Sequence, residues 1–421
     1  MQGLYAIEGN LAFAPALGEL TTIPRGYIIV EDGIVRDVCK RLPSGLSPEV
    51  ISYGDAIITP SFCDLHLHAP QFPMLGTGMD LQLLEWLSTY TFPLEARFVD
   101  TAYAQRVYRK LARALVRRGT TRVCMFSSIH REATLVLMRE LERAGITGYV
   151  GKVNMDRNGP KDVLESTEQS VEETRRFLDE CGQYAHLKPL LTPRFVPSCT
   201  DALMQQLGDI AREYPDVRIQ SHLSENMEEI AWVKELSPDC AQYWQVYEKF
   251  GLFKPHTLMA HCVYSDEAER AAMKRAGVWV VHCPDSNTNV ASGIAPIRKM
   301  LQEGMQVAMG SDIAGGAKLS MTDVAAEAIR VSKLRWLFSD KKEDFLTVAE
   351  AFYLITTAGQ AYFGAQPGFG EGEPLHAVVF DDSRFVHEPK KSLQERLERL
   401  IYLSNPSDII AVYSEGKKAA L

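Results

Sequence analysis

The chain has little of what would mark a membrane, secreted or nucleic-acid-binding protein. No uninterrupted apolar stretch approaches the ~18–20 residues that cross a bilayer, so no transmembrane segment is expected. The start, Met1-Gln2-Gly3-Leu4, lacks a charged region followed by an apolar one, and no secretory leader is read there. The eight cysteines are scattered and contain no Cys-x-x-Cys pair. That spacing fits reduced thiols in a cytoplasmic protein better than a disulfide framework. Basic clusters are missing too, and the net charge is −9, so nucleic-acid backbone binding is not expected. Also missing is a Gly-rich phosphate loop. Gly76-Thr77-Gly78 has neither the further spacing nor the strand context, which disfavours an open doubly wound sheet.

What is present is a chain of 421 residues, 46% hydrophobic and 24% charged, long enough for one large domain and a small one. Residues 4–59 read as short strands with turns, and Glu31-Asp32-Gly33 between two β-branched runs marks a hairpin. Strand-like apolar runs then appear at 120–127, 147–155, 187–196, 217–223, 257–263, 277–283 and 306–312. Helical periodicity lies between them, at 101–117, 131–144, 162–181, 200–213 and 319–335. With the run that ends at His66, this makes about eight strand–helix units, the number that closes a (β/α)8 TIM-type barrel. From about 370 the tail returns to β character. The expected organisation is a hydrolase barrel over 61–369, flanked by a small composite β-sandwich made from 1–60 and 370–421. The charged stretch 383–398 reads as a loop.

Barrel enzymes place their chemistry at the C-terminal ends of the strands. Five of the ten histidines fall there: His66, His68, His222, His261 and His282. Asp312 ends the last strand. In His66-Leu67-His68 the period of two turns both imidazoles to one face. A set of three His and one Asp suits Zn²⁺ or Fe²⁺ and suits Mg²⁺ or Ca²⁺ poorly. His66, His68, His222 and Asp312 are the expected ligands of one ion per chain, with a position left for water. A divalent ion lowers the pKa of such a water to about 7. Glu225, three residues after His222, is expected to start the next helix and to carry protons as general acid and base. Its alternative is an ordinary first-turn carboxylate facing the helix dipole. His261 is left to hydrogen-bond the reacting centre, and Asp312 acts as ligand and proton acceptor together. His282, followed by Cys283-Pro284, either orients a loop or touches the water. Cys63, Cys262 and Cys283 adjoin these residues and are expected to point the other way, into the core. His130, His186, His376 and His387 show no partner pattern and read as surface or structural positions.

These residues resemble the metal-dependent amidohydrolase superfamily, through His66-x-His68, His222-x-x-Glu225, His261 and Ser311-Asp312. The closer resemblance, to the guanine deaminase family within it, lies in four stretches. They are His68-Ala69-Pro70-Gln71, the segment from Asp80 to Glu95, Thr192-Pro193-Arg194-Phe195 and Gln220 through Asn226. The resemblance covers essentially the whole chain. It implies hydrolysis of the 2-amino group of guanine to xanthine and ammonia, one Zn²⁺ (with Fe²⁺ as the other option) and a homodimer. It also implies that Gln71 and Arg194 hold the purine and that Phe195 lines its pocket. Arg has only donors, so Arg194 reads a carbonyl such as the 6-oxo group and disfavours an amino group. Gln71 offers a donor and an acceptor to a ring edge. Trp86, with Tyr90 and Phe92, lies in a long segment after the first barrel strand and either covers the ring or packs the barrel mouth. Asp285 stands where relatives often carry Asn, to tune the pocket or to cap a turn. Deamination of 8-oxoguanine, a pterin or an aminotriazine is the nearest alternative. A non-catalytic scaffold is disfavoured, because every ligand position is filled.

Overall fold

The computed structural model describes residues 3–386 and 388–420, so His387, like Met1 and Gln2, lies outside the described residues. The head of the chain forms β1 (Leu4–Phe13), β2 (Thr21–Glu31), β3 (Ile34–Cys39) and β4 (Glu49–Pro60). Between β2 and β3 the expected hairpin is a two-residue turn, with Asp32 and Gly33 at φ 50° and 85°. Positive φ at both central residues matches the right-handed twist of the flanking strands.

The middle of the chain alternates strand and helix. Its strands are β5 (Phe62–His68), β6 (Thr120–Phe126), β7 (Thr147–Asn154), β8 (Leu187–Pro193), β9 (Arg218–Leu223), β10 (Leu258–His261), β11 (Trp279–His282) and β12 (Gln306–Met309). Among the described residues they form one parallel sheet in chain order from β5 to β12. Its two ends are joined at the rim: the Asp312 amide donates to the His66 carbonyl at 2.8 Å, and the His68 amide to the Ile313 carbonyl at 3.0 Å. Gly310 allows this approach, since a Cβ there would lie 2.7 Å from His66 Cβ. The (β/α)8 barrel is therefore present.

Helices cover the outside of the barrel. The one at Thr101–Val116 starts where the Asp100 carboxylate accepts from the amides of Ala102 and Tyr103, and it buries Ala104, Tyr108, Leu111 and Leu115 at helical spacing. Burial of a leucine such as Leu111 contributes about 1.5–3 kcal/mol.

The tail adds β13 (Ala377–Phe380), β14 (Ile409–Ser414) and β15 (Lys417–Lys418) to the head strands, in the order β15-β14-β13-β4-β1-β2-β3. The composite unit expected as a sandwich is a single sheet rolled over its own core. Val35 donates to the Glu373 carbonyl and Leu375 to that of Gly33, so the segment entering β13 lies against the start of β3, and the core of the sheet holds Ile7, Ile28, Val30, Ile58 and Tyr413. One expectation fails here. The end of the charged stretch 383–398 is not loop but helix Leu393–Leu403, started by a Ser392/Glu395 capping box. Its buried face of Leu397, Leu400 and Ile401 outweighs the surrounding charge.

Candidate functional site

The residues at the strand ends line one cavity. His68, Gln71, Trp86, Arg194, Phe195, His222, Glu225, His261 and Asp312 all border it. His66 lies just beneath, its ring 4.9 Å from that of His222.

One wall consists of lone pairs. His68 Nε2 and His222 Nε2 stand 3.2 Å apart. Asp312 Oδ1 lies 3.1 Å from His66 Nε2 and 3.6 Å from His68 Nε2. His222 Nδ1 meets the Arg194 carbonyl at 2.6 Å, which places the ring proton there and leaves Nε2 bare toward the cavity. His261 Nδ1 is held by Asn287 Oδ1 at 2.8 Å, so its Nε2 faces inward as well. Among the described residues His66 Nε2 and His68 Nδ1 have no hydrogen-bond partner. Donor atoms of His66, His222 and His261, and again of His66, His68 and Asp312, lie within 4.8 Å of one another. Convergent buried nitrogens with a carboxylate fit a divalent transition-metal ion.

Burial favours the neutral forms of these histidines and holds His66, His68 and His222 below their usual pKa. For His261 burial lowers the pKa, but the Glu225 and Asp312 carboxylates outweigh it and the net shift is upward. Burial likewise raises Asp312, yet His66, His261 and His68 more than reverse this and hold it far below the carboxylate range.

The chain enters this wall through left-handed backbone at non-glycine residues: His261 (φ 73°), Asp312 (φ 46°) and Ser224 (φ 49°). Such positions cost of order 1–3 kcal/mol each and are held by their surroundings. Asp64 is part of that support. It accepts from the Ser311 amide at 2.9 Å and from the Ser311 hydroxyl at 2.5 Å, tying the turn after β12 to β5 beside His66 and Asp312.

Glu225 does not start the following helix. That helix is Met227–Leu236 with Asn226 as its N-cap, so the first-turn carboxylates are Glu228 and Glu229. Glu225 stands before the cap and is free of the dipole role considered for it. Its Oε2 lies 3.5 Å from His261 Nε2, and its Oε1 accepts from Ser292 Oγ at 3.1 Å. Burial pushes Glu225 up to about 7. Glu229 holds the turn: its Oε2 accepts from the amides of Glu225 and Asn226, and Tyr243 donates to its Oε1.

The opposite wall is polar but internally paired. Arg194 meets Glu95 end-on, Nη1 to Oε2 at 2.5 Å and Nη2 to Oε1 at 3.1 Å. Gln71 donates to the same Oε1 at 3.0 Å and accepts from the Ala314 amide at 3.0 Å. Trp86 lines the cavity and donates from its indole to the Thr77 carbonyl. Phe92 instead packs below with Phe126 and Val153, its ring 5.2 Å from the Arg194 guanidinium, and Tyr90 is exposed.

Among the neighbouring residues Cys283 departs from expectation. Cys283 does not turn fully away: its thiol shares a 4.8 Å cluster with His261 and Asp312, because the strand ends at His282 and strict alternation stops with it. Cys262 does face the core, toward Met273. His282 is buried outside the cavity lining and falls to about 3 through desolvation. Asp285 caps a turn, accepting from the amides of Ala317 and Lys318. His376 is structural, bridging Thr121 of β6 to Glu415. Glu95, Glu229, Asp64 and Asn287 were not singled out by sequence reasoning. Glu95 closes the distinctive segment that starts at Asp80, and Asn287 follows the His282-Cys-Pro motif; nothing in the spacing marks Asp64 or Glu229.

A (β/α)8 barrel with imidazoles, an aspartate and a buried glutamate gathered at its strand ends defines a metal-dependent hydrolase. The amidohydrolase family model matches residues 57–419, and the chain belongs to that family. The guanine deaminase of Dictyostelium discoideum is 35% identical over 438 residues, covering 98% of this chain and 97% of the relative. That of Mus musculus is 38% identical over 376 residues, covering 85% and 82%. A crystal structure of guanine deaminase from C. acetobutylicum, with guanine bound in its active site, superimposes with a TM-score of 0.96 at 42% identity. It covers 99% of this chain and all of that one.

Proposed function

We propose that this protein hydrolyses guanine to xanthine and ammonia. The observation that carries the reading is one cavity in which a His/Asp donor wall and Glu225 face a wall bearing Arg194 and Gln71. The named relatives, at up to 42% identity over nearly the full chain, support the same reading.

His66, His68, His222 and Asp312 would hold the metal, one Zn²⁺ per chain, with Fe²⁺ as the alternative for this nitrogen-rich set. When bound, such an ion supplies Lewis acidity and lowers the pKa of a water held there to about 7. Glu225 carries the two protons of the attacking water in turn, the first to a ring nitrogen as the oxygen adds and the second, taken from the new hydroxyl, to the departing amine. A C–O bond forms at the carbon bearing the amino group, its C–N bond breaks, and the nitrogen leaves as ammonia. His261, whose Nδ1–H is held by Asn287, donates from Nε2 to the oxygen as charge develops on it, in the protonated form that the Glu225 and Asp312 carboxylates favour. Arg194 and Gln71 orient the ring, with Phe195 and Trp86 against it. Eight free thiols among the described residues support a reducing, cytoplasmic setting. The apolar stripe of Leu334, Leu337 and Phe338, 44%, 53% and 80% exposed, supports self-association as a homodimer.

The test is ammonia release by metal-loaded protein from guanine, 8-oxoguanine, a pterin, adenine and cytosine. Guanine is expected to be the best substrate. Turnover of adenine without guanine would remove the reading of Arg194, and no release from any of them would remove the reaction.

A further inference from the structure

Glu95 is 3% exposed and sits on the helical turn Phe92–Glu95, in the segment that also brings Trp86 to the cavity. Its two oxygens accept from both terminal guanidinium nitrogens of Arg194 and from the amide nitrogen of Gln71. Three consequences follow from the chemistry of these groups.

Gln71 cannot be flipped. The reverse orientation would set its carbonyl against the Glu95 carboxylate and its NH2 against the Ala314 amide, leaving two buried mismatches at about 1–3 kcal/mol each. In the observed orientation one N–H of Gln71 is left to face a ligand. Arg194 is fixed in plane, because the end-on pair uses one hydrogen from each terminal nitrogen and the remaining donors point elsewhere. Lastly, the guanidinium charge is cancelled inside the pocket. The reader of the purine edge is thus a net-neutral pair that presents donors.

We propose that Glu95 is a specificity-determining positioning residue, which orients Gln71 and Arg194 and neutralises Arg194 so that the pocket favours a neutral oxopurine over an anionic one. This deepens the guanine deaminase reading and rests on it for the identity of the purine. The functional gain lies in product release. Xanthine is a stronger acid than guanine, because its N–H groups are flanked by carbonyls. An uncompensated buried arginine would retain the xanthine anion, whereas a paired one does not.

The experiment is equilibrium binding of guanine, adenine and xanthine to wild-type protein and to Glu95→Gln, at pH values on either side of xanthine's own ionisation. Wild-type affinity for xanthine is expected not to rise as xanthine ionises. Glu95→Gln is expected to lose about tenfold in affinity for guanine and for neutral xanthine, and to bind xanthine about tenfold tighter above that ionisation than below it. Superimposable xanthine profiles for the two proteins would overturn the proposal, as would wild-type affinity that climbs with ionisation. Should Glu95→Gln not fold, Glu95→Asp decides the matter, since it keeps the charge and shortens the reach. It should keep the wild-type xanthine profile and lose about tenfold in preference for guanine over adenine. Unchanged preference in that variant would overturn the positioning role. Ammonia release by wild type is measured in parallel. Binding behaviour as expected without any release from guanine would fault the reaction and leave the role of Glu95 standing.

Discussion

On one wall of the pocket nitrogen faces nitrogen, as His68 and His222 do at 3.2 Å; on the other, donor faces acceptor, as Arg194 and Glu95 do. The first wall gathers lone pairs that have only a cation as a common partner, and its geometry is imposed from behind by Asn287, Asp64 and the Arg194 carbonyl. In the second each polar group already has a partner of opposite kind, with an N–H of Gln71 left over for a ligand. On the function proposed, the difference divides the labour: the first wall would hold the ion and do the chemistry, and the self-paired wall would read the purine. The Arg194 residue joins them, its side chain on one wall and its carbonyl fixing the tautomer of His222 on the other.

Substitutions that respect this division should separate turnover, metal and specificity. The largest effect is expected for Glu225→Gln, which should keep its metal and lose about a thousandfold or more in kcat. Near-normal turnover would take Glu225 out of the mechanism. Next is His222→Ala, which should abolish stoichiometric metal by elemental analysis; full metal content would mean that the ligand set is misassigned. Arg194→Lys retains the charge but not the planar fork, so kcat/KM for guanine should fall roughly 10- to 100-fold at unchanged metal content. Parallel loss of metal would show that the walls are not separable. A smaller effect is expected outside the pocket. Burial lowers His376 from 6.5 to about 4, so between those values the unfolded chain binds the proton more readily than the folded one. Stability should therefore decline as pH falls through that window, and His376→Gln should flatten the decline in thermal melts while leaving metal content and kcat in place. An identical pH profile in the variant would show that His376 is not the group responsible.

The two walls also differ in how far they were legible in the sequence. Ligands sit where strands stop, and the period of two together with the barrel rule brings His66, His68, His222, His261 and Asp312 to one rim. The paired wall depends on contacts that no local pattern carries, such as Glu95 with Arg194, 99 residues apart. Gln71, Arg194 and Phe195 enter only through resemblance, and Glu95, the common partner of Gln71 and Arg194, is not singled out. Alternation misled at Cys283, because it holds only while the strand continues. Charge misled at 393–398, where a capping box and a buried leucine face make a helix. The strand order of the composite sheet was not readable either, since β1 pairs in parallel with β4 across the intervening β2–β3 hairpin and the tail joins only at β4, through β13.

The most direct test of this division of labour is to strip the protein of metal with a chelator and measure guanine binding and ammonia release on the same sample. Binding is expected to stay within about tenfold of the metal-loaded protein, with release abolished and restored by Zn²⁺. Loss of guanine binding in step with the metal, in protein that remains folded, would contradict the account.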